Sequence, residues 1–395
     1  MTRGDPRRPA KTVVLLYGYA ANRSDAVSRV ITELAEGLRS QGVPTVVLGI
    51  KPMRLQPAQG SLLTKVLRLT SEAAYLLSVS SYLFTRRRSV HAVISVDVPS
   101  GLPFVGAMLR RVTHGRIRDI AWVMDLYRIA RPQELGLVSR LRARLELAAL
   151  TRAAHVVTIG ECMTKTLAAH DLTPVTIPLW HAEMPITATQ ESDGSGQRDL
   201  RLLYSGSARD IHPLSALGRT LGSPSLDFPW SFRVVGSGPG IDDLPGSLNA
   251  RASERVTFPP RASTTGWAEN AVWADVHVVS LAESATGTCV PSKTYAAMAA
   301  GKAVLFLGSE GGQAAKDVIA AECGLVVPTS DTNAILHALS RLADPTFLAR
   351  CQENARTFYD AHRTVSRGVD SWRGFLDELG SRGDVQDLRR GEGQA

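Results

Sequence analysis

The sequence predicts an α/β protein of two doubly wound, Rossmann-like domains facing each other across a cleft. Three observations predict it. Short β-branched apolar runs alternate with amphipathic stretches from Thr12 onward, the pattern of a parallel sheet covered on both faces. The run ATQESDGSGQRD at 188–199 has no apolar periodicity and reads as an exposed linker, after which the alternation restarts. The length of 395 residues suits two or three domains at ~150 residues each.

The elements follow in order. TVVLLY (12–17) is a strand ending at Gly18, YAANRSD is a polar loop, and AVSRVITELAEGLRSQG places apolar residues at helical spacing up to Gly42. PTVVLGI is a second strand. A helical region at about 61–85, the strand HAVISV, helical GLPFVGAMLRRV, the strand DIAWVM, helical LVSRLRARLELAAL and the strand HVVTIG complete the first half. Beyond the linker come LRLLYSG, a helix near 213–221, FRVVGSGPG, RVTFPP, a helix, VHVVSL, a short helix, AVLFLG and CGLVVPTS. The resulting boundaries are a flexible N-terminus at 1–11, a first domain at 12–187, the linker at 188–199 and a second domain at 200–355. C-terminal helices at 356–380 are expected to cross back to the first domain, before a loose tail at 381–395.

An apolar fraction of 44% and a charged fraction of 21% are those of a soluble globular chain. Residues 1–180 carry 25 Lys+Arg against 12 Asp+Glu, whereas the remainder carries 20 against 25. This asymmetry fits either an anionic surface or ligand facing the first half, or simply solvated, arginine-rich helix faces. The basic character gathers in the arginines of the TRRR turn, LRRVTHGRIR and SRLRARLEL, beside apolar neighbours. Such a patch suits anionic lipid at the inner membrane face or a diphosphate; no nucleic-acid recognition motif accompanies it. The apolar stretch AAYLLSVSSYLF (73–84) is too short to span a bilayer. Four cysteines without metal-type spacing, and an N-terminus without a signal-type apolar core, read as reduced thiols in a cytoplasmic protein. The histidines show no metal-binding spacing, and no D-x-D motif is present, so no metal or other cofactor is expected.

The most informative stretch is TGTCVPSKTYAAMAAGKAV, Thr286 to Val304. It reads as a loop freed by Gly287, a helix over 291–300 with Lys293 in its first turn, and a strand. A cation there opposes the helix dipole, so Lys293 either answers a bound anion or is a solvated helix-end lysine. Two further strands, RLLYSGS and FRVVGSGPG, end in glycine turns at Gly206 and at Gly236 and Gly238. With Ile at 241 the second is no dinucleotide fingerprint, and it reads as a tight turn that lets a ligand approach the backbone, or as an ordinary strand end.

These pieces, with WVMDLY around Asp125, resemble the retaining family-4 glycosyltransferases of GT-B fold, closest to the bacterial O-antigen and capsule branch of fucosaminyltransferase type. The resemblance implies a sugar moved from a nucleotide diphosphate donor, UDP-linked, to a hydroxyl acceptor. It implies metal-independent donor binding at Gly206, Ser207, Gly236, Gly238, Phe258, Arg261, Glu283, Thr286, Gly287, Thr288, Pro291, Ser292 and Lys293. Lys293 and Arg209 would steady the leaving diphosphate. Asp125 would meet the acceptor hydroxyl or else cap a helix, and Gly18, Asn22, Arg23 and Ser24 would line the acceptor side. In the family's E-x7-E register the two acids fall on Thr288 and Ala296, neither of them acidic, which leaves Glu283 as either a sugar contact or a loop acid. The same fold admits other functions: a nucleotide-sugar-processing enzyme, a coupling enzyme making a non-glycosidic bond, or a non-catalytic nucleotide-sugar-binding partner.

Overall fold

The computed structural model describes residues 12–18, 26–49, 62–96, 101–131, 133, 136–184, 199–260 and 264–392. The chain divides into two compact units, Leu179–Thr364 being one, and residues up to Pro178 with those from Val365 onward being the other.

The first unit opens with β1 (Thr12–Leu16), α1 (Ala26–Ser40), β2 (Thr45–Leu48) and α2 (Leu62–Thr85). It continues through β3 (Val90–Val96), α3 (Leu102–Val112), β4 (Arg118–Val123), α4 (Tyr127–Ala130) and α5 (Leu137–Leu150), then β5 (His155–Thr158), α6 (Glu161–Ala168) and β6 (Val175–Thr176). The strands form one parallel sheet in the order β2-β1-β3-β4-β5-β6. Strands covered on both faces must be apolar throughout, and in β3 only His91 escapes full burial. The chain steps one way from β1 to β2 and the other way from β2 through β6. Right-handed crossovers therefore put α1 on one face and α2, α3, α5 and α6 on the opposite face.

The second unit contains β7 (Leu200–Ser207), α7 (Ser215–Leu221), β8 (Trp230–Ser237), α8 (Pro239–Asp242), α9 (Ala250–Ser253) and β9 (Val256–Thr257). Then come α10 (Thr264–Trp273), β10 (Val276–Ser280), α11 (Lys293–Ala299), β11 (Ala303–Leu307), α12 (Gln313–Ala320), β12 (Gly324–Val327), α13 (Thr332–Leu342) and α14 (Pro345–His362). Its sheet is also parallel, in the order β12-β11-β10-β7-β8-β9. Tyr204, Trp230, Phe232 and Leu305 are fully or almost fully buried in one core cluster.

The last helix, α15 (Val365–Glu392), belongs to the first unit and packs along α1. A Cβ at Gly37 would lie 2.4 Å from Val369 Cγ2, so only glycine allows this approach. Trp372 meets Trp122 edge-on at 4.7 Å between ring centroids, and both are buried. The sequence reading put the first domain's end at 187 and the return at 356; the units divide at Pro178 and Thr364 instead. Hydrogen bonds hold both segments in the second unit. The His181 N–H donates to the Arg363 carbonyl at 3.0 Å, the Tyr359 hydroxyl donates to the His181 carbonyl at 3.1 Å, and Arg363 pairs with Asp317 at 2.8 Å. The segment from 381, expected as a loose tail, continues α15 as far as Glu392. The linker at 188–198 and the N-terminal 1–11 lie outside the described residues. Among the described residues no helix is long and apolar enough to cross a membrane.

Candidate functional site

Ligands of parallel sheets gather at the carboxyl ends of the strands. In the second unit three such ends, those of β10, β7 and β8, stand side by side. The register places Gly206 opposite Gly236 and Ser207 opposite Ser237. Both turns have the positive φ that glycine tolerates, 111° at Gly206 in the β7 turn, and 158° at Gly236 and 120° at Gly238 in the β8 turn. The reason is contact between backbones: a Cβ at Gly236 would lie 2.1 Å from the Gly206 carbonyl oxygen, and one at Gly238 2.5 Å from that of Ala208. Two hydrogen bonds lock the turns together, from the Ala208 N–H to the Ser237 carbonyl and from the Gly240 N–H to the Ala208 carbonyl, both 3.0 Å. The loop after β10 joins them, as the Ala282 N–H donates to the Ile211 carbonyl at 2.8 Å and the Ser280 hydroxyl to the Pro213 carbonyl at 2.6 Å.

Lys293 projects into this junction. Its Nζ donates to the Tyr204 hydroxyl at 2.6 Å and to the Ser207 carbonyl at 2.8 Å, and lies 4.0 Å from the Tyr204 ring centroid. Its stem runs beside Gly206, where a Cβ would lie 2.9 Å from Lys293 Cε. The helix starts at Lys293 rather than at 291, with Ser292 as its N-cap residue but without a side-chain capping bond. The cation turns back onto β7 rather than extending from the helix end into water. Burial pushes the Lys293 ammonium down to about 7, with Cys289 opposing the shift. Burial likewise pushes the Tyr204 phenol upward, so it stays protonated and donates to the Ser207 carbonyl at 3.1 Å.

His212, which the sequence reading did not single out, completes the junction. Its Nδ1 accepts the Arg209 N–H at 3.2 Å, which leaves the ring proton on Nε2. Burial lowers its pKa to about 4, and the charges of Lys293 and Arg209 push the same way. The imidazole is thus neutral at physiological pH, between two cations. Only the spacing of Arg209 and His212 around one turn hinted at it.

The remaining expected donor residues divide. Phe258, directly after β9, is an exposed aromatic, 44% accessible. Thr286 and Gly287 lie in the loop before α11, Gly287 with a φ of 82°. Thr288 is buried and its hydroxyl donates to the Ala285 carbonyl at 2.7 Å, a loop-building role. Glu283 straps this loop to the end of β12: its two oxygens accept the Thr329 N–H and hydroxyl, each at 2.6 Å. Partial burial works to raise its pKa, but the Thr329 bonds, joined by the Glu283 backbone N–H, outweigh it and hold the carboxyl below its ordinary value. A sugar hydroxyl at Glu283 would have to share those oxygens. Arg261 lies outside the described residues.

In the first unit Asp125 follows β4 and is exposed, and its Oδ1 accepts the Tyr127 N–H at 2.7 Å at the start of α4. Asp125 is thus not the N-cap of α4, which is Leu126 without a side-chain capping bond; it closes a turn one residue earlier. Gly18 is buried in the turn after β1, while Asn22, Arg23 and Ser24 lie outside the described residues. Among the described residues no group of three or more His, Cys, Asp or Glu is arranged to hold a metal ion.

Comparison with known proteins adds to this geometry. No curated protein matches the chain in sequence. Among solved structures, sucrose-phosphate synthase from Thermosynechococcus elongatus is 16% identical with a TM-score of 0.73, over 94% of this chain and 100% of that one. The catalytic domain of starch synthase IV from Arabidopsis thaliana, bound to ADP and acarbose, is 11% identical with a TM-score of 0.67, over 94% and 99%. Anabaena HepE in complex with UDP-glucose is 13% identical with a TM-score of 0.63, over 93% and 99%. The fold is thus GT-B, and residues 25–180 match the family model described as a glycosyl transferase 4-like domain.

Proposed function

We propose that the chain is a retaining glycosyltransferase. It moves a hexosyl or N-acetylhexosaminyl group from a UDP-linked donor to a hydroxyl of a glycan, lipid-linked or natural-product acceptor, without a metal ion. The observation that carries this reading is the Lys293 ammonium lodged where the β7 and β8 glycine turns meet. A half-buried lysine that spends two donors on Tyr204 and Ser207 is aimed and partly desolvated, so an anion arriving there meets a positioned charge. The match to a glycosyl transferase 4-like domain and the nucleotides bound by HepE and starch synthase IV support the same donor class.

In this reading the bond from the anomeric carbon to the diphosphate oxygen breaks while the acceptor oxygen bonds to the same face. The acceptor proton passes to the departing phosphate. Lys293 and Arg209 stabilise the charge that grows on the diphosphate, and Asp125 orients the acceptor hydroxyl. Thermal stabilisation by a panel of nucleotide sugars tests the donor site. UDP-sugars raise the Tm of the wild type, and Lys293→Ala loses the rise. If no nucleotide sugar stabilises the wild type, the donor reading fails. Release of UDP only in the presence of an acceptor then separates transfer from epimerisation, which needs no acceptor, and from mere binding, which releases none.

A further inference from the structure

The turn that follows β7 is closed twice by the same residue. The His212 N–H donates to the Arg209 carbonyl at 2.8 Å, and the Arg209 N–H donates back to His212 Nδ1 at 3.2 Å. A side chain tied to its own turn in this way cannot swing freely, because Nδ1 has to stay over residue 209. The turn is anchored from both sides. On one side a Cβ at Gly240 would lie 2.4 Å from the His212 carbonyl oxygen, and the Gly240 N–H donates to the Ala208 carbonyl. On the other, the loop after β10 donates the Ala282 N–H to the Ile211 carbonyl and the Ser280 hydroxyl to the Pro213 carbonyl. The backbone on either side of His212 is therefore fixed, and so is the ring.

The second ring nitrogen is left over. With Nδ1 an acceptor the ring proton sits on Nε2, and the two nitrogens point to different sides of the imidazole. Among the described residues Nε2–H donates to no group, and it is not one of the buried polar atoms sealed away without a partner. Closing the turn uses Nδ1 alone, and an asparagine would do that as well. What histidine adds is a second nitrogen, half-buried at the carboxyl end of β7, with its proton available.

Its surroundings say what that proton suits. Burial keeps the ring neutral, and the charges of Lys293 and Arg209 act in the same sense. A third cation between these two would be repelled by both, whereas a neutral imidazole offers a donor without adding charge. A diphosphate carries more acceptor oxygens than one lysine and one arginine can satisfy. A donor already held in place meets those oxygens without being ordered on binding.

We propose that His212 belongs to the donor site itself: its Nε2–H donates to a diphosphate oxygen of the nucleotide sugar beside Lys293, while Nδ1 keeps the Arg209–His212 turn closed. The assignment rests on the donor reading above and divides the imidazole into a structural nitrogen and a ligand nitrogen.

Two amides tell those nitrogens apart. Asparagine sets its side-chain oxygen where Nδ1 lies and closes the turn, but does not reach the position of Nε2. Glutamine brings its amide N–H to Nε2 and leaves the Arg209 N–H unanswered. In calorimetric titrations with UDP, His212→Asn is expected to keep the Tm of the wild type and to bind about tenfold more weakly. His212→Gln is expected to lose Tm yet to recover UDP binding to within about threefold of the wild type. A residue that only closes the turn gives the reverse order, with His212→Asn binding like the wild type and His212→Gln weakly, and that result overturns the proposal. A second measurement uses the wild type alone. In protein made with isotope-labelled histidine, the His212 Nε2 proton, identified by its absence from either variant, moves downfield as UDP saturates the site. An unmoved resonance overturns the proposal as well. Failure of the donor reading looks different: a wild type that binds neither UDP nor UDP-sugars overturns both, whereas UDP bound equally by the wild type and His212→Asn overturns the role of His212 alone.

Discussion

In the second unit a half-buried lysine ammonium is held between a tyrosine hydroxyl and a backbone carbonyl; in the first, leucines stand in water along α5. The two regions break the rule of apolar inside and charged outside in opposite directions. Each violation carries a cost in the isolated protein, desolvation at Lys293 and unburied hydrocarbon at Leu137 and Leu141. The rest of each unit keeps the rule closely, with buried strands and a full apolar core. The difference sets a positioned charge in one unit against an exposed apolar stripe in the other.

Four experiments break or sharpen this contrast. The largest effect is expected at the floor of the lysine site. Gly236→Ala drives a Cβ onto the Gly206 carbonyl at a φ of 158°, and urea unfolding should show a loss of about 3 kcal/mol or more. A variant as stable as the wild type would mean that the turns are not locked together. Next is the pH dependence of nucleotide binding. With the empty-site Lys293 at about 7, an anion favours the charged form, so binding takes up a proton. Calorimetric affinity for UDP should fall as pH rises above 7, by up to about tenfold per unit, and Lys293→Met should flatten that slope. Lys293→Met also removes a desolvated charge while Tyr204 keeps its bond to Ser207. The empty protein should gain about 1 kcal/mol near neutral pH, where a depressed lysine is penalised. Since the folded pKa lies below the unfolded one, that gain is greatest below pH 7 and vanishes as pH rises toward the ordinary lysine value. A destabilised Lys293→Met would show that the lysine is structural and the contrast false. The smallest stability change belongs to Asp125→Asn, whose side-chain oxygen still accepts the Tyr127 N–H. Its Tm should move by less than the equivalent of about 0.5 kcal/mol while transfer falls, and unchanged transfer would reduce Asp125 to a turn former.

Much of the fold was legible because strand and helix periods are local properties. The alternation from TVVLLY to HVVTIG corresponds to five of the six strands of the first sheet, the two-residue β6 having gone unread, and that from LRLLYSG to CGLVVPTS to all six of the second. The glycine turns and Lys293 were legible too, since Gly and a misplaced charge announce themselves over a few residues. What the lysine touches was not. Tyr204 is 89 positions away, and it sat in a strand run where an aromatic residue reads as ordinary core. Thr329, which occupies Glu283, lies 46 positions on, and nothing near Glu283 signals it. His212 hid for a different reason: its role comes from being held neutral between two cations, which is a property of the assembled loops. The charge of the arginines in SRLRARLEL was visible, but which face the leucines take depends on what the sheet covers.

The pairing of Trp122 with Trp372 sets an order of events during synthesis. A nascent chain emerging from the ribosome completes the six strands of the first sheet by Thr176, yet the indole that packs edge-on against Trp122 arrives only after the whole of Leu179–Thr364. Until then the α15 side of the first sheet, Trp122 included, lacks its cover, so this half of the protein emerges first and finishes last. The intervening unit has its own core and can mature in the interval. For a chain translated at about 5–20 residues per second, that is a window on the order of ten seconds or more in which a chaperone could shield the unfinished face.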